Sequence, residues 1–259
     1  MLLPESTLLG VGDIRVGGCA CDSRQIRPGD LFVALAGTCH DGHDFIDQAI
    51  ARGASAIMCE RPPSGLSVPC CVVPDARDAY GRLCQALAGN PSFLTKVIGV
   101  TGTNGKTTTS CLIAGVLSRA GSRPAVLGTL GYFDGEVVDP ATHTTPPPAP
   151  LASLLTRSVA NGCSHVVMEV SSHALAQSRV AGVRFDVACV TNVRRDHLDY
   201  HSTIQDYRVT KSKLFDYLAP EGFAVVNADD PVAMGYLRRF DGPALTIGIR
   251  HEAEIMATP

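Results

Sequence analysis

Two rhythms of apolar and polar positions alternate along the chain. DLFVAL (30–35) is an apolar run of strand length, whereas Phe45, Ile46, Ala49 and Ile50 fall on one face of a helix over 44–52. ASAIMC (54–59) and PCCVVP (69–74) predict two more strands, and Tyr80, Leu83, Cys84 and Leu87 line one face of a helix over 76–88. GNPS (89–92) then breaks the pattern with turn-forming residues. This places a domain boundary there, giving a small α/β domain over 1–90 and a second domain over 91–259.

In the second domain KVIGV, AVLGT, HVVMEV, DVACVTN and FAVVN are apolar runs of strand length. Helical spacing separates them over 107–120, 151–160, 203–215 and 231–239, with TTPPPAP (144–150) as a rigid loop entering the second of these. Strands alternating with helices predict an α/β fold with a mostly parallel sheet covered on both faces. ALTIGI (244–249) reads as one more strand with no closing helix after it, so the second domain is expected to be incomplete.

Composition narrows the functional classes. With 45% hydrophobic and 18% charged residues the chain is of ordinary globular make-up, and its net charge of -3 argues against a nucleic-acid grip or a polybasic membrane surface. No apolar run reaches the ~18 residues of a membrane span. MLLPESTLLGVGD lacks a basic leader region, so a cytoplasmic location is expected. Cys59, Cys111, Cys163 and Cys189 sit singly in apolar runs, and Cys19/Cys21 and Cys70/Cys71 lack the C-x-x-C spacing of zinc sites. Reduced thiols are expected, with no metal on them.

The sharpest chemical signal is GVTGTNGKTTT (99–109), where a strand enters a glycine turn followed by a helix. Backbone N–H groups in such a turn can face phosphate oxygens, Lys106 can pair with the β- and γ-phosphates, and the Thr107 hydroxyl can hold Mg²⁺. The motif departs from the strict pattern at Val100, where a glycine is usual. Glu169 lies near the C-terminal end of the HVVMEV run, and a carboxylate at a strand's carboxyl end can either hold Mg²⁺ beside a nucleotide or pair with a surface cation. DVACVTNVRRDHLDYH brings Asn192, Arg195, Asp196, His197, Asp199 and His201 to the end of the next strand. His197 and His201 have helical metal-pair spacing, but HLDYH lacks the Glu that zinc proteases place after the first His. Lys211 and Lys213 follow on the next helix, Lys213 reading as a solvated charge.

Taken in order, GVTGTNGKTTT, MEVSSHAL, TNVRRDHLDYH and the Lys211 helix resemble the Mur ligases of bacterial peptidoglycan synthesis. CDSRQIRPGDLFVALAGTCHDGHDFIDQAIARGA resembles the N-terminal domain of the branch that adds the third residue to UDP-N-acetylmuramoyl-L-alanyl-D-glutamate. Folate and cyanophycin ligases share the phosphate loop but not this first-domain stretch.

The resemblance implies an ATP- and Mg²⁺-dependent amide-bond ligase working through an acyl phosphate. Its first domain would bind the UDP-muramoyl substrate, and its central, P-loop-type domain would bind ATP. The implied ATP contacts are Gly102, Thr103, Asn104, Gly105, Lys106, Thr107 and Thr108. Substrate contacts carry over to Ser23, Thr144, Thr145, Ser171, Gln177 and Arg179. Metal ligands carry over to Thr107, Glu169, His197 and Lys211, the last as N6-carboxylysine, with Lys106, Lys211 and His197 as catalytic residues. The partners implied are UDP-N-acetylmuramoyl-dipeptide and diaminopimelate or lysine. The family's third, C-terminal domain lies outside these 259 residues, which leaves a non-catalytic module binding ATP or UDP-muramoyl-peptide as the alternative.

Overall fold

The computed structural model describes residues 2–10, 15–37, 40–196 and 200–257. It divides into two compact units, Met1–Gly89 and Asn90–Pro259.

The first unit is built on β1 (Thr7–Leu9), β2 (Cys19–Ala20), β3 (Leu31–Val33), α1 (Ile46–Ala51), β4 (Ala56–Cys59), β5 (Cys70–Val72) and α2 (Ala76–Leu87). Its strands lie in the order β1-β5-β4-β3-β2, all parallel except β1 against β5. The apolar run at 30–35 contracts to the three residues of β3, all buried. Phe32, Ile57, Cys59 and Cys70 form the core on one side of this sheet with Ile46 and Ala49 of α1. Asp75 starts α2 by accepting the backbone N–H groups of Arg77 and Asp78, both at 2.9 Å.

The second unit contains β6 (Lys96–Thr101), α3 (Lys106–Arg119), β7 (Pro124–Gly128), β8 (Gly131–Phe133), β9 (Val138–Asp139), α4 (Pro148–Ala160) and β10 (His165–Glu169). It continues with α5 (Ser172–Ala176), β11 (Phe185–Val190), α6 (Ile204–Ser212), β12 (Leu218–Asn227), α7 (Pro231–Leu237), β13 (Ala244–Gly248) and β14 (Ile255–Met256). The sheet order is β14-β13-β12-β11-β6-β10-β7-β8-β9, parallel throughout except for the hairpin strands β8 and β9 at one edge. α4 begins inside the proline tract, because a proline in a first helical turn forfeits no intrahelical hydrogen bond. The helix over 203–215 ends at Ser212 and tightens into a 3₁₀ turn over Lys213–Tyr217.

Alternation within the strands sends side chains to two cores. Val97, Val166, Met168, Ala188, Val190, Ala224 and Val226 pack with Leu151, Leu154 and Leu155 of α4 on one face. Val100, Val167 and Cys189 pack with Ala114 of α3 on the other. Val100, which stands where the strict phosphate-loop motif has glycine, is therefore a fully buried strand residue. The turn begins two residues later. Because β6 lies between β11 and β10, the carboxyl ends of three strands converge on the start of α3.

Candidate active site

Gly102 turns the chain at the end of β6 with φ +148°, and a Cβ there would sit 2.0 Å from Thr191 Oγ1. Only glycine satisfies both conditions. The turn is then tied to the segment after β11: Thr103 N–H donates to Asn192 O (2.8 Å), Asn104 N–H to Asn192 Oδ1 (3.1 Å), and Thr191 Oγ1 to Asn104 O (2.7 Å). Thr103 Oγ1 accepts the Arg194 N–H at 2.9 Å and lies 2.9 Å from the Tyr207 hydroxyl of α6. These bonds fix a loop at the N-terminus of a 14-residue helix, where unpaired N–H groups and the helix dipole favour an anion.

Lys106 Nζ donates to Gly102 O (2.9 Å) and Thr103 O (3.1 Å), and partial burial holds its pKa below the ordinary lysine value against the pull of Glu169 and Asp196. Lys211 Nζ reaches the same Gly102 O at 2.9 Å from α6. Only 1% exposed, it lies 4.8 Å from the Tyr207 ring centroid. Two ammonium groups thus share one carbonyl. Burial, aided by the charge on Lys106, pulls Lys211 from 10.5 down to about 7.

That shift has a measurable consequence. Between about 7 and 10.5 the unfolded chain holds more protons at this lysine than the folded one, so folding stability rises with pH across that window. Below it both states are charged and the full burial penalty remains. Lys211→Met is accordingly expected to stabilise the fold by about 2 kcal/mol near pH 6.5, with the gain shrinking toward pH 10. Urea unfolding at the two pH values measures it, and a gain that grows with pH would contradict it.

Glu169, 2% exposed, is held at the end of β10. Its carboxylate accepts the Thr129 N–H (2.8 Å), the Thr129 hydroxyl (3.2 Å) and the Thr107 hydroxyl (2.9 Å). A glycine at 128 makes room for it, since a Cβ there would meet Glu169 Oε1 at 2.2 Å. A buried carboxylate beside a hydroxyl, all oxygen donors, fits a hard divalent cation such as Mg²⁺. Among the described residues no group of three His, Cys, Asp or Glu side chains converges. His197 lies outside the described residues. His201 is buried, with its ring centroid 5.2 Å from that of Tyr207.

The residues expected to meet a peptide form a second cluster on the same strand end. Thr145 Oγ1 donates to Glu169 O (2.8 Å) and accepts the Ser171 N–H (3.0 Å), while Ser171 Oγ caps α5. Arg179 Nη1 donates to Thr145 O (2.9 Å) and its Nε to Gln177 Oε1 (3.0 Å). Thr129 Oγ1 is 3.2 Å from Thr144 Oγ1, which links this cluster to Glu169. Asn104 and Thr108 are exposed on the loop side. In the first unit Ser23 Oγ donates to Gln48 Oε1 at 2.5 Å. Both line a cavity of about 580 Å³ whose wall includes Cys21, Leu35, His40 and Phe45. Gly128, Thr129, Thr191, Tyr207 and Gln48 were not singled out by the sequence, because the roles of the first three depend on strand register and those of the helix residues Tyr207 and Gln48 on what their helices pack against, not on motif spacing.

A mostly parallel sheet with a glycine turn at the end of its central strand, flanked by the half-buried Lys106, the buried Lys211 and the Glu169 carboxylate, defines an α/β protein with a candidate anion site at a strand's carboxyl end. Residues 100–258 match the Mur ligase middle domain and residues 15–85 the Mur ligase family catalytic domain, and the chain belongs to the Mur ligase family. It is 43% identical over 255 residues to UDP-N-acetylmuramoyl-L-alanyl-D-glutamate--2,6-diaminopimelate ligase of Parabacteroides distasonis, covering 97% of this chain and 52% of that protein. The protein of the same name from Geobacillus thermodenitrificans is 46% identical over 242 residues, covering 91% and 49%. A solved structure of that name aligns with a TM-score of 0.75 at 30% identity, over 92% of this chain and 49% of the other. The MurF ligase from Thermotoga maritima in complex with ADP aligns with a TM-score of 0.58 at 29% identity, over 91% and 51%. The chain spans about half the length of the curated relatives it matches. No helix among the described residues is long and apolar enough to cross a membrane.

Proposed function

We propose that this chain carries the nucleotide- and acceptor-binding parts of an ATP-dependent ligase that adds diaminopimelate to UDP-N-acetylmuramoyl-L-alanyl-D-glutamate. The observation that carries this reading is the convergence of Lys106, Lys211 and the Thr107–Glu169 pair around the turn at Gly102. Two diaminopimelate ligases 43% and 46% identical to it over most of the chain support this reading.

In this reading the loop N–H groups and Lys106 hold the ATP phosphates, and Lys106 offsets the charge that builds on the γ-phosphoryl group. Arg179, braced by Thr145 and Gln177, orients the acceptor so that its D-glutamyl side-chain carboxylate faces that phosphorus. Attack gives an acyl phosphate and ADP. The amine of the incoming amino acid then displaces phosphate to form the amide. Magnesium, when bound, would neutralise phosphate charge, and Thr107, Glu169 and, by family resemblance, His197 and carboxylated Lys211 would hold it. Lys211 suits carboxylation because its amine gives up its proton near neutral pH, and CO₂ adds to the neutral amine. The result replaces a cation with an anionic oxygen donor. The cavity at Ser23 and Gln48 would take the uridine end of the acceptor.

The test is incubation with ATP, the UDP-muramoyl-dipeptide and either diaminopimelate or L-lysine. ADP and a diaminopimelate-containing tripeptide are expected. Binding of both ligands without product supports the non-catalytic module instead, and product with lysine alone overturns the choice of amino acid.

A further inference from the structure

Two thiol pairs flank the sheet of the first unit, and neither enters the chemistry above. Cys59 Sγ and Cys70 Sγ lie 3.3 Å apart within the apolar core, the residues 0% and 2% exposed. Cys19 Sγ of β2 and Cys84 Sγ of α2 lie 3.8 Å apart. Cys84 is buried, but Cys19 is half-buried and lines a surface groove with Gly17, Gly18, Arg24 and Asp30. The pairs also differ in reactivity. Its contact with Cys19, with a hydrogen bond from Tyr80, draws the Cys84 thiol below its ordinary pKa, while the same contact together with burial pushes Cys19 up. Burial raises Cys59 to about 12 and raises Cys70 as well. The thiolate is the nucleophile and must meet the oxidant, so the closer pair, sealed in the core, is the inert one, and the pair beside the surface groove is the one an oxidant reaches.

We propose that Cys19 and Cys84 form an oxidative modification site that closes to an intramolecular disulfide on exposure to hydrogen peroxide. The Cys84 thiolate attacks one peroxide oxygen, the O–O bond breaks, and hydroxide leaves and is protonated, giving a sulfenic acid. Cys19 sulfur attacks that sulfur, the S–O bond breaks, and the departing hydroxide takes the Cys19 proton. Two thiols and one peroxide yield one disulfide and two waters.

Closing the gap draws β2 toward α2 only two residues before Cys21, which lines the Ser23–Gln48 cavity. Oxidation therefore distorts that cavity wall and weakens whatever binds there. This second part rests on the reading of the cavity as the acceptor's nucleotide pocket.

The test treats the intact chain with peroxide, blocks free thiols with iodoacetamide, and maps disulfides by mass spectrometry without reduction. A Cys19–Cys84 linkage, reversed by dithiothreitol and absent in Cys84→Ser, is expected, with Cys59 and Cys70 recovered as thiols on denaturation. Recovery of Cys19 and Cys84 as thiols, conversion of Cys84 to a sulfinic acid, or linkage of Cys59 to Cys70 in preference would overturn it. Titration with UDP-N-acetylmuramoyl-L-alanyl-D-glutamate should show about tenfold weaker binding to the oxidised than to the reduced chain. Equal affinity overturns the coupling to the cavity. A reduced chain that takes up none of this ligand undoes the reading of the cavity and leaves the disulfide standing.

Discussion

Lys106→Ala is expected to weaken ATP binding by about 100-fold, equivalent to about 3 kcal/mol, with little loss of fold stability. The asymmetry follows from what the ammonium does without nucleotide. It caps two backbone carbonyls of its own loop, Gly102 O and Thr103 O, in a partly buried setting that already penalises its charge. Removing it returns one carbonyl to Lys211, which donates to Gly102 O as well. With a triphosphate in the turn, the same ammonium faces dense negative charge in a site of low polarisability. Lys106→Arg is expected to fail similarly, since a planar guanidinium does not fit a point-charge position beside a tight turn. Calorimetric titration with Mg-ATP, paired with thermal melts, separates loss of binding from loss of fold. Unchanged affinity in Lys106→Ala would show that the lysine does not meet phosphate.

Gly128→Ala is expected to cost about 2–3 kcal/mol of stability and to lower Mg²⁺-dependent ATP affinity by at least about tenfold. A Cβ at this position would lie 2.2 Å from Glu169 Oε1, 2.8 Å from Cδ and 2.9 Å from Cγ. The carboxylate must then swing away. It would lose the Thr129 N–H at 2.8 Å and the Thr107 hydroxyl at 2.9 Å, leaving a charge without its donors in a buried position. Glu169→Gln provides the comparison, because it keeps the shape while removing the charge. It should retain more stability than Gly128→Ala yet share its loss of magnesium dependence. Urea unfolding and ATP titrations with magnesium or with EDTA measure both effects. A Gly128→Ala chain that keeps its stability and its response to magnesium would contradict this placement of the carboxylate.

The mostly parallel α/β character was legible because its central strands are hidden on both faces. KVIGV, HVVMEV and DVACVTN are continuous apolar runs for that reason, and the helices between them keep one apolar stripe. The edges carried no such signal. Every residue of β1 and of β14 is exposed, β2 has two residues, and the β8–β9 hairpin is too short for alternation to register. The proline tract was read as loop, although its second half is the first turn of α4.

The site divides along the same line. Lys106, Thr107 and Glu169 stood out as chemistry-bearing residues at the ends of apolar runs, and Lys211 through the resemblance of its helix to the Mur ligases. Gly128, Thr129 and Thr191 serve through the neighbouring strands that carry them to Glu169 and Gly102, and no local pattern encodes that adjacency. Tyr207 sits four residues before Lys211 on one helix face, and its hydroxyl lies 2.9 Å from Thr103 Oγ1 in the turn after β6. Val100 shows the converse: a motif position that looked like a defect is a core residue of β6.

The central claim is that the turn from Gly102 to Lys106 seats a nucleotide by its phosphates. Isothermal titration of the folded chain with ATP and, separately, with adenosine, each in the presence of magnesium, tests it most directly. The account predicts saturable uptake of ATP that weakens as salt is raised, and no detectable uptake of adenosine. Equal binding of the two, or none of ATP by a chain with an intact melting transition, would contradict it.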